Sequence, residues 1–346
     1  MSTENNKMRR LPAEWEEQDG VLLAWPHRES DWKPLLAKIE PAAAAIIAAI
    51  SRFERVVLIV PDKDAAIERL TAAQADLARI TFVVLPTNDT WARDFGPITV
   101  YEDDTPVMLD FGFNGWGLKF PADLDNRINR LLAGKGLFNA PVSLRPLILE
   151  GGSIESDGNG TLLVTATCLL SSNRNPHLDR KQLERSLATE LGAGQILWLE
   201  HGYLAGDDTD AHVDTLARLC PGDTILYVAC DNPADEHCQE LSLMQQELEA
   251  LRTRDGAPFR LLPLPLPAPS FGSEGERLPA TYANFLIING AVLVPTYNDP
   301  CDAIALARIG SAFPDREIIG IDCRPIIEQH GSLHCLTMQF PKGTLS

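Results

Sequence analysis

The sequence has no C-x-x-C pair, and its seven cysteines are scattered and odd in number. This argues against a disulfide framework and a thiolate zinc site, and leaves free, mostly buried thiols as the default. Basic residues are scarce: 30 Lys and Arg stand against 48 Asp and Glu, for a net charge of −18. A surface so acidic repels phosphate backbones and anionic headgroups, so neither nucleic acid nor a membrane is expected as a partner. No uninterrupted apolar run approaches the roughly 20 residues of a membrane span. The longest, PAAAAIIAAI at 41–50, reads as a buried Ala-rich helix. The first ten residues, MSTENNKMRR, place no apolar stretch after their basic residues. No secretory signal is therefore expected, the protein reads as cytoplasmic, and residues 1–10 read as a disordered tail. No long low-complexity linker divides the remainder, so 11–346 reads as a single domain; LPLPLPAP at 262–269 suits an edge strand or stiff connector.

A secondary-structure pattern then repeats. An apolar run at 20–25 precedes a helix over 34–52 and a strand at 55–60; helical spacing over 64–78 leads to a strand at 80–85. Strands 97–101 and 107–111 form a hairpin, followed by a helix over 123–134 and a strand at 142–149. A turn at Asp157-Gly158-Asn159-Gly160, a helix over 177–192 and a strand at 195–200 come next. The last units use helices over 234–253 and 301–313, strands 224–230, 259–266, 316–321 and 332–340, and an Asn289-Gly290 hairpin suited to a type I′ turn. Helix, strand and two further strands recur four or five times at intervals of roughly 60 residues, a period typical of ring or solenoid folds. A closed ring needs no exposed sheet edge and creates one axial pocket, so strand 20–25 is expected beside the last unit.

Four polar clusters interrupt this pattern. DDTDAHVD at 207–214 ends in His212 and Asp214, which share one face if residues 212–218 are extended; a solvated acidic loop is the simpler reading of that cluster alone. TWARDFGP at 90–97 is either a turn with an incidentally paired Arg93, or a site in which Asp94 meets a delocalised cation between Trp91 and Phe95. LEGGSIE at 149–155 ends a strand in Glu150, a buried carboxylate in need of a partner, for which His212 is a candidate. Cys335 sits in a strand-like run, GSLHCLT, where His334 points to the opposite face and is excluded as its base. Read singly, Cys335 is more simply a core thiol than a nucleophile.

Together, WARDFGP, EGG followed by DGNGT, CLLSSNRNP, TDAHVD, PATYANF, VLVPTYND and LHCLT resemble, in order, the agmatine deiminase and bacterial peptidylarginine deiminase family of guanidino-group-modifying enzymes. The resemblance spans about 11–341. It implies a fivefold pseudosymmetric α/β propeller with a central pocket, no metal and no cofactor. It also implies Cys335 as nucleophile, His212 as general acid/base, Glu150 as the group associated with that His, and Asp94 and Asp214 as guanidinium ligands. Two departures stand out: Ala211 where the family has Gly, and QHGSLHC at 329–335 where many members read GGGNIHC.

The expected reaction is hydrolysis of a guanidino compound through a covalent thiouronium on Cys335, with agmatine as the substrate and N-carbamoylputrescine and ammonia as products. Asp207 or Asp208 is a candidate contact for the distal amine and Trp116 for the aliphatic chain, with Trp91 a further substrate-binding residue beside Asp94. Peptidyl-arginine is the alternative substrate; an amidinotransferase and a non-catalytic guanidine-binding protein are the remaining readings. A homo-oligomer is compatible with all of them.

Overall fold

The computed structural model describes residues 8–346. Five ββαβ units follow one another around a ring. In each, a first strand pairs antiparallel with a second, and a crossover helix returns the chain to a third strand parallel to the second. The second unit runs Ile98–Glu102, Thr105–Gly112, helix Ile128–Gly134, Val142–Ile148. The third runs Ile154–Ser156, Thr161–Thr165, helix Arg180–Leu191, Gln195–Leu199. The fourth runs Ala217–Cys220, Thr224–Ala229, helix Cys238–Ala250, Arg260–Pro265. The fifth runs Leu286–Ile288, Ala291–Thr296, helix Asp302–Ala312, Glu317–Asp322.

The first unit closes the ring. Its parallel strands Gln18–Ala24 and Arg55–Val60 flank helix Leu36–Ser51, while its antiparallel first strand is Met338–Pro341, from the far end of the chain. Segments from near both ends of the chain therefore share one sheet, which closes the ring of units. Strand Ile80–Val84 extends that sheet outward.

Burial explains the orientation of each unit. Ala217–Cys220 and Leu286–Ile288 are buried throughout, whereas Arg260–Pro265 and Glu317–Asp322 each bury one residue. In the fourth and fifth units the first strands therefore lie inward and the third strands outward; in the first unit Ile80–Val84 lies outside Arg55–Val60, which is almost wholly buried. The helices bury one stripe each, as in Leu183, Leu187 and Leu191 of Arg180–Leu191, which opens on an Asp179–Gln182 capping box and ends at left-handed Gly192. The stretch Lys33–Ser51 is long and apolar enough to cross a membrane by length and composition alone. Here Ile39, Ile46, Ile47 and Ile50 are fully packed into the hydrophobic core.

Several expectations need correcting. The tail expected over 1–10 does not extend to Arg9–Arg10, which pair with Glu102 and Tyr101; residues 1–7 lie outside the described residues. The helix expected over 64–78 stops at Ala72, before left-handed Gln74. The Asn289-Gly290 hairpin forms, but only Gly290 takes positive φ, so the turn is not type I′. Asn289 is instead held by its side-chain bonds to the Gln18 backbone and its N–H bond to Glu54. Finally, 332–340 is not one strand. His334–Leu336 is a 3-10 turn and the strand begins at Met338.

Candidate active site

The inner ends of the units carry the four clusters to one place. Asp94 sits on the short helix Ala92–Phe95, between the first and second units. Glu150 and Gly152 lead into the first strand of the third unit. His212 precedes the 3-10 turn Val213–Thr215 that leads into the fourth, so the extended conformation expected over 212–218 begins only at Ala217. Cys335 lies on the turn that leads into the closing strand.

Gly152 marks where these segments meet. A Cβ on it would fall 2.6 Å from His212 Nδ1, 3.0 Å from Asp94 Oδ1 and 3.2 Å from Asp214 Oδ2. The glycine thus keeps space open between three functional side chains. Its N–H donates to Asp94 Oδ1 at 3.0 Å, and the Trp116 indole N–H donates to Asp94 Oδ2 at 2.9 Å. Trp116 reaches this position from a tight loop in which Gly115, Trp116, Gly117 and Leu118 all take positive φ. Such backbone is costly for non-glycine residues and is held by its surroundings; here a Cβ on Gly115 would strike the Phe120 carbonyl.

The electrostatics describe a site made for a cation. Burial, and then the facing Asp214, push the Asp94 carboxyl well above its ordinary range. Burial acts most strongly against the Asp214 carboxylate, but the His334 Nδ1 hydrogen bond at 2.7 Å and nearby positive charge, Arg218 included, together outweigh it and hold Asp214 below its usual value. Burial lowers the His212 imidazole to about pKa 3, so the ring is neutral in the empty site. Neither of its nitrogens has a hydrogen-bond partner among the described residues, and Nδ1 lies 3.6 Å from Asp94 Oδ1. Burial, then Asp214 and Asp94, push the Cys335 thiol well up. Its Sγ lies 3.4 Å from Asn284 Oδ1 and 3.9 Å from Asp214 Oδ2. A planar cation between the two carboxylates would draw both Asp94 and Cys335 back toward ionisation.

Glu150 is fully buried, but its partner is not the His212 anticipated for it. Arg174 Nε donates to both carboxylate oxygens at 2.9 Å, while Arg174 Nη1 binds Asp210. Ligand atoms of Glu150, Cys168 and His212 lie within 4.8 Å of one another, a spacing that suits a metal. The Arg174 charge on Glu150 opposes a cation there.

A cleft of about 700 Å³ opens above Cys335, lined by Asp31, Asp89, Trp91, Asp94, Trp116, Phe120, Asp208, Thr209, Gln329, His330 and Gly331. Trp91, Trp116 and Asp208 line this cleft, whereas Asp207 does not. Its oxygens accept from Thr209 and the Ala211 N–H and build the loop instead. Ala211 adopts φ 63°, the left-handed conformation that glycine takes without strain. Of QHGS, the first three residues form cleft wall, with Gly331 flat against the Trp91 ring. Ser332 is turned away to Tyr297.

The model of the Porphyromonas-type peptidyl-arginine deiminase family matches residues 10–341. The chain belongs to this family. Agmatine deiminase of Pseudomonas fluorescens is 35% identical over 354 residues, covering 96% of this chain and 95% of that protein. A C. jejuni agmatine deiminase, solved as a cysteine-to-serine variant with substrate bound, shares 40% identity over 99% of both chains with a TM-score of 0.91. The agmatine deiminase of Enterococcus faecalis, at 29% identity and TM-score 0.88, covers 97% of this chain and 96% of its own. As in these relatives, the fold is the deiminase α/β propeller.

Sequence reasoning overlooked several residues of this deiminase site. Asn284, within PATYANF, accepts from the backbone N–H of both His334 and Cys335 and so fixes the cysteine turn. Arg174, within CLLSSNRNP, neutralises Glu150. Asp31 and Asp89 line the cleft, and burial raises Asp89 to about pKa 6. Arg174 and Asn284 lie within motifs quoted above, but their partners are 24 to 51 positions away, beyond the reach of local periodicity.

Proposed function

We propose that this chain is a cytoplasmic agmatine deiminase, converting agmatine and water to N-carbamoylputrescine and ammonium. The observation that carries the reading is the lining of the cleft. Asp31, Asp89, Asp94 and Asp208 face it, with no Lys or Arg among the described lining residues. A guanidinium at the base and an ammonium at the mouth suit such walls, whereas the carboxylate of arginine or of a peptide C-terminus would be repelled. The names of the agmatine deiminase relatives support the same choice.

The guanidinium lies between Asp94 and Asp214, bound by charge-assisted N–H bonds, with its carbon over Cys335 Sγ. Its arrival lets Asp94 ionise and favours the thiolate. Cys335 gives its proton to neutral His212 as the C–S bond forms. The imidazolium returns that proton to an amino nitrogen, the C–N bond breaks, and ammonia leaves a cationic S-alkylthiouronium. Water then attacks while His212 takes its proton. The C–S bond breaks, the ureido carbonyl forms and Cys335 regains a proton; the one remaining proton leaves as ammonium. Glu150 and Arg174 hold the wall beside His212, and Trp91 and Trp116 sandwich the alkyl chain.

The test is ammonia release from agmatine, free arginine and a peptide ending in Arg, with wild type and Cys335→Ala. Agmatine is expected to be preferred by at least about 100-fold, the scale on which opposite charges at one subsite discriminate. Preference for the peptide, or full turnover by Cys335→Ala, contradicts the proposal.

A further inference from the structure

The conspicuous neighbour of Cys335 has no part in the scheme above, yet both of its ring nitrogens meet buried carboxylates. His334 is buried beneath the cysteine, with 1% of its surface exposed. Its Nδ1 is 2.7 Å from Asp214 Oδ2, and its Nε2 is 2.6 Å from Glu14 Oε2 and 3.1 Å from Arg218 Nη2, which itself donates to the same Glu14 oxygen. We propose that His334 is a positioning residue: it clamps Asp214 by one oxygen, leaves the other available to the guanidinium, and holds a proton between two carboxylates beneath the nucleophile.

Hydrogen-bond chemistry carries the argument. Carboxylates only accept, and a neutral imidazole has one N–H. Two carboxylate contacts of this length therefore need a proton on both ring nitrogens, or one on a carboxyl. Either way, one proton more than a neutral ring carries is kept inside the cluster. The charged groups around it agree with this count. Glu14 precedes the strand Gln18–Ala24, Glu155 lies on Ile154–Ser156, and Asp214 on Val213–Thr215. Against these three carboxylates stand two guanidinium groups, Arg93 from Ala92–Phe95 and Arg218 from Ala217–Cys220. One proton at His334 balances the set, as a buried cluster requires. The clamp is also selective. Asp214 Oδ2 is bound by His334, while Oδ1 has no partner among the described residues. The backbone on either side is anchored too, because the His334 N–H donates to Asn284 Oδ1. Asp214 Oδ2 is 3.9 Å from Cys335 Sγ, so the same proton moderates the negative charge felt by the thiol.

This inference rests on Asp214 being a guanidinium ligand, and the experiment separates the two. His334→Asn puts an amide N–H near the position of Nδ1, whereas His334→Gln reaches only toward Nε2. The steady-state constants for agmatine, the melting temperature and the pH midpoint of Cys335 alkylation by iodoacetamide are measured for these variants, His334→Ala and Asp214→Asn. His334→Ala and His334→Gln are expected to raise KM about 10- to 100-fold, the scale of a lost charged hydrogen bond. His334→Asn is expected to recover at least about tenfold of that KM. Loss of the proton is expected to move the alkylation midpoint upward by about half a pH unit or more in every His334 variant. Equal KM in the Asn and Gln variants, or an unmoved alkylation midpoint, overturns the proposal. If Asp214→Asn itself keeps the wild-type KM, the assignment of Asp214 fails, and the role of His334 fails with it.

Discussion

Gly152→Ala is the smallest change that tests the geometry of the site. The added methyl has no room: it would lie 2.6 Å from His212 Nδ1, 3.0 Å from Asp94 Oδ1 and 3.2 Å from Asp214 Oδ2. Carbon and these atoms normally stay about 3.5 Å apart, so each group must retreat by a few tenths of an ångström or more. The three side chains are buried, and Asp94 is tied to Trp116 and Asp214 to His334, so there is little slack. Overpacking of this kind costs about 1–3 kcal/mol of stability. In a chain of this size that lowers the melting temperature by only a few degrees. The catalytic loss is expected to be much larger, about 100-fold or more in kcat/KM, because a misplacement near 1 Å has that effect on a positioned reaction. Ammonia release from agmatine and a thermal melt on one preparation give both numbers. Gly151→Ala is the contrast, since its methyl would meet the Arg93 carbonyl at 2.2 Å and should damage folding rather than chemistry alone. A folded Gly152→Ala enzyme with near wild-type kcat/KM would refute the reading that Gly152 keeps the guanidinium site open.

Other outcomes follow from the same contacts. Arg174→Met leaves Glu150 buried without its cation and should cost about 3–5 kcal/mol in a denaturant melt; a loss below about 1 kcal/mol contradicts that pairing. Burial raises Glu54 from the usual range to about pKa 7, so the fold retains a proton that the unfolded chain gives up. Its stabilisation is complete below about pH 4.5 and is lost as pH rises through about 7. Glu54→Gln should therefore gain on wild type between pH 5 and pH 8 by a few kcal/mol, and parallel melting curves for the two proteins would rule this out. Because burial and Asp214 push the Asp94 carboxyl well above its ordinary range in the empty site, agmatine binding to Cys335→Ala should release protons. Calorimetry in buffers of different ionisation enthalpy reads that release, and buffer-independent heats would show that Asp94 is already ionised.

Much of the ring was legible in the linear chain. Apolar strands such as RVVLIV are seen at the predicted residues, Arg55–Val60, because an uninterrupted β-branched run suits a strand buried on both faces. The first strand was expected beside the last unit, and Gln18–Ala24 does pair with Met338–Pro341. Local segments read less well where tertiary contacts override periodicity. GSLHCLT has the look of a strand, yet Asn284 captures two successive N–H groups and bends it into a 3-10 turn. His334 was set aside because neighbouring strand residues face apart. It is indeed engaged elsewhere, with Asp214 and Glu14 rather than the thiol, but strand geometry is not the reason.

The sequence by itself determined the repeating units, the acidic character and the set of side chains able to bind and attack a guanidinium. Those properties depend on residue type, short-range periodicity and motif order. Tertiary structure alone decided the partners: Arg174 rather than His212 for Glu150, Asn284 and Asp214 for Cys335, and Asp31 and Asp89 on the cleft wall. These contacts join residues tens to hundreds of positions apart. Their energies come from burial and from the distance between charges, and neither quantity exists until the ring has closed.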